Sequence, residues 1–409
     1  MMVELDNKIG LCEISYSPIL FYCNVSKSIT IDTLIIYAAF CIKKLYNIYM
    51  KHFILWLYIL IHIGDMFMDI KDYSNYKEGI FVYGGKAGPK KSVYDENNVW
   101  MLKFPQNTKS KETIAVSYTT SPVSEYIGSH IYQSMGFPVH ETKLGTYQNK
   151  VVVACKDFKL PIKNKILQES PMEYLMNTVD DDILENLSRD ETSSQSYHNI
   201  SMNDWLYVLD NSPIAQQNPE IKERFWDQFV VDAFIGNSDR HGGNWEFYID
   251  TNQDIKLFPI YDNGNALFAK HPEEKIKEFL ENDTKYNSIV TQGNTPFISP
   301  DYHKIDSFSS IKKLSIKGNS NKDLEAAIKR NYPKIDLERI NTIIDEIPEY
   351  ANGLLIISND RKTLYKKILA DRAAIIEKSY NLILNKENKL NNSIKISLCK
   401  SKERGGLER

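Results

Sequence analysis

The sequence predicts an α+β protein built as two lobes, a small β-rich one followed by a larger, mainly helical one. From Tyr76 to Phe158, runs of β-branched and aromatic residues alternate with Gly, Pro and Asn, and a single helical stretch interrupts them. Beyond Phe158 apolar residues recur every three or four positions, the period of helices buried along one face. A chain of 409 residues is long enough to give each lobe a core. The expected boundaries are 69–158 for the first lobe, 159–385 for the second and 386–409 for a polar, disordered tail.

Taken in order, Phe81-Val82-Tyr83 leads into a loop, Gly84-Gly85-Lys86-Ala87-Gly88, whose glycines would let backbone N–H groups approach an anion. Alone, such a loop is more often a turn. Val99–Phe104 reads as a strand ended by Pro105. Residues 121–136 read as a helix, with Val123, Ile127 and Ile131 on one side and Gly136 as its stop. Strands follow at Val139–Tyr147 and Lys150–Ala154, with Gln148-Asn149 as the tight turn between them. Asn218-Pro219 opens a long helix whose broad apolar face runs from Ile221 to Phe234, and Gly236 closes it. Further amphipathic helices are expected at 322–331, 335–346 and 359–385, whereas 167–200 and 271–318 show no clear period.

Composition narrows the function classes. Fifty Lys and Arg against 53 Asp and Glu leave a net charge of −3, so bulk attraction to nucleic acid is not expected. Five cysteines, none in CxxC spacing, form neither a disulfide framework nor a zinc motif, and a reducing cytoplasm is the expected setting. Residues 1–68 stand apart. Their apolar runs, Leu34–Ile42 and Phe53–Ile61, are nine residues each, about half the ~20 that span a bilayer. One reading is translated non-coding AT-rich sequence ahead of a start at Met66 or Met68; the other is a membrane anchor. Membrane contact is expected only under the second.

The stretch with chemistry in it is Gly236-Asn237-Ser238-Asp239-Arg240-His241-Gly242-Gly243-Asn244, followed by Pro259-Ile260-Tyr261-Asp262-Asn263-Gly264. Two short strands, 245–249 and 255–260, lie between, and a hairpin centred near residue 253 would return Asn244 and Asp262 to one end. Alone, Asp239 or Asn244 would read as a turn former. Together they offer hard oxygen ligands for Mg²⁺, at Asn244 and Asp262, and a separate carboxylate, Asp239, to take a proton from an attacking hydroxyl.

Asn-x-Asp-Arg-His-x-x-Asn followed by Pro-x-Tyr-Asp resembles the HipA-like serine/threonine kinases, and among them the short CtkA-like branch. The similarity runs from about residue 80 to about 380, strongest over 145–158, 225–245 and 331–336. It implies a two-lobed protein-kinase-like fold and ATP with Mg²⁺ as cofactors. Asp239 would be the general base, and Asn244 and Asp262 the metal ligands. Lys103 would contact the α/β-phosphates, with Glu125 as its partner. Gly84, Gly85 and Lys86 would lie over the phosphates, and Cys155 and Asp157 at the adenine. His241 would organise the loop or steady the phosphate, though a purely structural histidine fits as well. The implied partner is a protein substrate.

HipA itself, within the family, can be silenced by phosphorylation of a serine just before its glycine loop. Here Phe81-Val82-Tyr83 stands there, and Ser92 is the nearest candidate. A lipid kinase of the phosphoinositide type shares Asp-Arg-His-x-x-Asn and stays open at this point. So does a catalytically silent ATP-binding protein.

Overall fold

The computed structural model describes residue 50 and residues 68–81, 83, 89–95, 98–105, 119–159, 171–179, 200–314 and 320–405. The chain divides into two units, Met1–Asp65 and Met66–Arg409. Both readings of the N-terminal stretch lie outside the described residues, since only Met50 is described in the first unit. Among the described residues no helix is long and apolar enough to cross a membrane.

Five strands make the sheet of the small lobe: β1 (Lys71–Asp72), β2 (Lys90–Asp95), β3 (Asn98–Lys103), β4 (Thr142–Tyr147) and β5 (Lys150–Lys156). Their order is β1-β4-β5-β3-β2, and only the β1–β4 pairing is parallel. Tyr147 pairs with Lys150 across the expected turn. Gln148 and Asn149 both adopt left-handed backbone there, with φ of 44° and 59°, as a two-residue hairpin loop of the primed type requires. β5 alternates strictly. Val152 and Ala154 join Tyr73, Trp100 and Leu102 in an outer cluster, while Val153 and Cys155 face the main core and helix α1 (Ser121–Ser134).

The larger lobe comprises α2 (Pro171–Met176), β6 (Ile200–Ser201), α3 (Met202–Asn211), α4 (Pro213–Gln217), α5 (Glu220–Ile235), β7 (Phe247–Ile249), β8 (Ile255–Leu257), α6 (Glu273–Glu281), α7 (Asp283–Val290), β9 (Asn294–Ile298), β10 (Lys304–Asp306), α8 (Ser307–Lys313), α9 (Lys322–Asn331), α10 (Leu337–Asp345) and α11 (Asn359–Gly405). Strands β10, β9 and β6 form a second sheet, and β7 and β8 a hairpin.

α5 is the axis of this lobe. The expected apolar face widens to the whole circumference, because every residue from Phe225 to Ile235 is buried, Asp227, Gln228 and Asp232 included. Each buried polar group then needs a partner. Asp227 accepts from Arg330 Nη2 at 2.7 Å and Asn331 Nδ2 at 2.7 Å, which docks α9. Arg372 of α11 is 1% exposed and donates to carbonyls of Phe234, Ile289, Val290 and Gln292 at 3.0–3.3 Å. Its charge sits at the C-terminal ends of α5 and α7, where helix dipoles favour a cation.

The expected tail is corrected. α11 runs on to Gly405, so residues 386–405 are helical. The stretch is rich in Lys, Leu, Asn and Ile, holds no Pro, and meets no Gly before Gly405; nothing local stops the helix.

Candidate active site

Lys103 ends β3 and faces the larger lobe. Its Nζ lies 3.0 Å from Glu125 Oε2 on α1 and 3.0 Å from Asp262 Oδ1. Burial alone would push the Lys103 ammonium down, but the carboxylates of Asp262 and Glu125 reverse that and hold it above the ordinary lysine range. Desolvation would likewise raise Glu125 and Asp262; Lys103 holds both below the usual carboxylate range, aided at Glu125 by His140. All three groups are therefore ionised in place. Asp262 stands at φ +62°, a left-handed conformation that costs a non-glycine residue about 1–3 kcal/mol and that surrounding contacts must offset.

The loop after α5 is built from its own polar groups. Gly236 closes the helix at φ +70°, and a Cβ there would lie 2.4 Å from Arg372 Nη1. Asn237 accepts from the Asp239 N–H at 3.2 Å. Asn244 donates its amide to the Asp239 carbonyl at 2.6 Å, which leaves Oδ1 as its acceptor atom. Asn265 Nδ2 donates to Asp239 Oδ2 at 2.5 Å. His241 accepts the Gly243 N–H on Nδ1 at 3.1 Å, so it shapes the loop from within. The hairpin register pairs Phe247 with Leu257 and Ile249 with Ile255, centring the turn on residue 252. Continued inward, it sets Asn244 opposite Ile260, two residues short of Asp262.

A buried chain of polar groups joins these two clusters. Glu125 Oε1 lies 2.9 Å from His140 Nε2, which is 3.1 Å from Ser129 Oγ. Asn263 donates to Ser129 Oγ at 3.0 Å and accepts from Arg240 Nη2 at 2.5 Å. Arg240 also reaches Asp232 at 2.9 Å and the Tyr261 carbonyl. Gly128 permits the close approach of α1, since a Cβ there would lie 2.8 Å from Asn263 Cβ.

A family model described as the HipA-like C-terminal domain matches residues 83–347, which include every residue of this constellation. The chain belongs to that family. The serine/threonine-protein kinase CtkA of Helicobacter pylori strain J99 is 33% identical over 277 residues, covering 65% of this chain and 75% of CtkA. The crystal structure of a Helicobacter pylori proinflammatory kinase CtkA superposes with a TM-score of 0.62 at 29% identity, over 77% of this chain and 99% of that one. HipA of Shewanella oneidensis MR-1, solved with HipB and operator DNA, gives a TM-score of 0.42 at 13% identity, over 75% of this chain and 68% of HipA. The fold is kinase-like, and kinase-like function follows from the family.

Within this HipA-like domain the expected site residues divide. Lys103, Glu125, Asp239, His241, Asn244 and Asp262 fall in the constellation. Gly84, Gly85 and Lys86 lie outside the described residues. Cys155 is corrected: it pairs with Met101 on one side and Thr142 on the other, so its backbone is committed to a central strand and its side chain is buried. Burial pushes its thiol up to an unreactive range. Asp157 lies at the strand exit, donating its N–H to Val99 O at 2.9 Å and accepting from the Tyr83 hydroxyl at 2.6 Å. Ser92 is corrected too. It is 1% exposed and exchanges hydrogen bonds with Phe81 at 3.2 Å, a strand anchor with no access for a phosphate donor.

Sequence reading missed His140, Ser129, Arg240, Asn263 and Asn265, and also Lys90. Lys90 pairs directly with Lys103 across β2 and β3, so the two cations share one face. Burial and the Lys103 charge push Lys90 down, while Asp262 opposes them. The doubled lysine after the glycine loop was the available signal; strand alternation would have set one of the two opposite Lys103.

Proposed function

We propose that this chain is an ATP- and Mg²⁺-dependent serine/threonine protein kinase. Asp239 is the base, Asn244 and Asp262 hold the metal, and Lys103, positioned by Glu125, contacts the phosphates. One observation carries the reading: Lys103 of the small lobe meets Asp262 of the large lobe at 3.0 Å. A lysine and two carboxylates from separate elements meet there only through the fold. The donor set suits magnesium, which takes one or two protein oxygens and leaves the rest to phosphate and water.

Bound ATP with Mg²⁺ supplies a transferable γ-phosphoryl group whose charge is partly neutralised. The protein's part is to orient and to move one proton. Asn265 fixes the Asp239 carboxylate. That carboxylate receives the acceptor's hydroxyl proton as the hydroxyl oxygen bonds to phosphorus and ADP leaves. Lys90 and Lys103 add positive charge on the phosphate side. The setting this requires is the ATP-containing cytoplasm.

The test is transfer of label from ATP to a generic basic protein by the full chain, with lipid vesicles as a parallel acceptor and Asp239→Ala as the control. Protein labelling lost in the control is expected. Labelling of lipid alone would overturn the reading.

A further inference from the structure

Behind the catalytic loop lies a cavity of about 170 Å³ that the chemistry above leaves unused. Its walls are the end of α5, the loop residues flanking Asp239, the segment after Asp262 and strand β9. Two links tie it to the base. Asn265 lines it and holds Asp239 Oδ2 at 2.5 Å. β9, which lines it through Asn294–Phe297, is paired with β10, and β10 brings Lys304 within electrostatic reach of Asp239. An occupant of the cavity is therefore held next to the base.

The lining decides what the occupant is. Phe225, Phe229, Trp245, Phe268 and Phe297 supply aromatic surface. The buried charges in the wall are spent: Asp232 on Arg240, and Arg372 on four carbonyls. Burial, then the charges of Arg361 and Lys275, push His271 down, so it is neutral at physiological pH. A cationic side chain placed here would lose its water and meet no uncommitted carboxylate in the lining, and Lys270, the remaining charge there, is solvent-exposed, whereas an apolar side chain gains by burial. An apolar cavity of about 150 Å³ accommodates a benzene ring, so this one has room for one leucine or phenylalanine side chain.

We infer that the cavity seats a large apolar side chain of the protein acceptor beside the reacting hydroxyl, and so selects serine or threonine sites flanked by such a residue. The inference rests on the protein-kinase reading above.

The test uses the full chain with ATP and Mg²⁺ on serine and threonine peptides, each flanking position scanned through Leu, Phe, Ala, Asp and Lys. At one position Leu or Phe is expected to exceed Asp and Lys by about tenfold or more in kcat/KM, the scale of hydrophobic-pocket discrimination. Ala233→Leu, which fills the cavity from α5, should remove most of that preference, chiefly through KM, while the ATP-induced thermal shift persists. Phe229→Ala, which enlarges the cavity, should move the preference from Leu toward Phe, and it serves where the filled variant does not fold. Peptide phosphorylation without apolar preference, or a preference that neither variant alters, overturns the pocket and leaves the kinase reading standing. No transfer to any peptide or protein by the wild-type chain overturns both.

Discussion

The two sides of the proposed catalytic loop are built on opposite principles. On the Lys103 side, one ammonium lies 3.0 Å from each of two carboxylates, Glu125 fully buried and Asp262 partly exposed, and each group is held ionised by the others. On the cavity side the buried charges in the wall are already spent, Lys270 is exposed, and the rest of the surface offered is aromatic, amide and hydroxyl. Under the proposed kinase reading the ligand on the first side is a nucleotide, one fixed and highly charged molecule, so orienting a cation before it arrives would remove reorganisation from the reaction. Under the same reading the ligand on the second side is a protein acceptor, variable and mostly uncharged at its reacting group, so shape and apolar burial would be the usable signals there. Arg240 belongs to both sides, holding Asp232 beneath the cavity and Asn263 beneath the Lys103 cluster.

The largest effect is expected where the two sides meet. Asp239→Ala should lower phosphoryl transfer by about 10²–10⁴-fold, the usual worth of a general base, while ATP still shifts the melting temperature. Equal loss of transfer and ATP binding would mean that Asp239 belongs to the nucleotide side alone. Next comes Lys103→Met, which leaves Glu125 and Asp262 facing each other without their cation. A loss of roughly 3–5 kcal/mol in unfolding free energy is expected, partly recovered by adding Glu125→Gln. Denaturant unfolding reads both. A single variant as stable as wild type would show that the cluster is not the ionised triad described.

Much of this was legible in the sequence because it is local. The hairpin turn at Gln148-Asn149, the helix stop at Gly236 and the Asp239–Asn244 loop each follow from residues within a few positions of one another. The Lys103–Glu125 pair needed only a strand and the helix after it. The relay through His140, Ser129, Asn263 and Arg240 was not legible, since its members come from four separated stretches and each alone is an ordinary polar residue. Ser92 and Cys155 misled for the opposite reason. Their neighbourhood in sequence suggested exposure and a free backbone, and sheet pairing on the finished fold removes both.

Arg240 sharpens the comparison at smaller cost. Arg240→Lys keeps the charge but loses the planar fork that serves Asp232, Asn263 and the Tyr261 carbonyl together. A destabilisation of about 2 kcal/mol is expected, with transfer reduced because both sides of the loop loosen. Stability lost without any change in transfer would mean that the relay supports the fold and not the site.

The mildest test is pH, and the two sides respond in different windows. Glu125 and Asp262 lie below their unfolded values, so their stabilisation is full above about pH 5 and is lost as pH falls through the folded values. Lys103 lies above its unfolded value, so its share is full below about pH 10 and fades only as pH rises beyond that. The cluster is therefore flat from about pH 5 to 10. His271 at the cavity lies below its unfolded value, so the unfolded chain takes up a proton first as pH falls through about 6.5, and stability declines there. His130 on α1, pushed down chiefly by burial, acts in the same direction. Thermal melts from pH 7.5 to 5 should thus show a shallow decline that His271→Gln reduces, His130→Gln reduces further, and Lys103→Met leaves in place. If Lys103→Met removed the decline between pH 6.5 and 5, the assignment of that window to the histidines would fail.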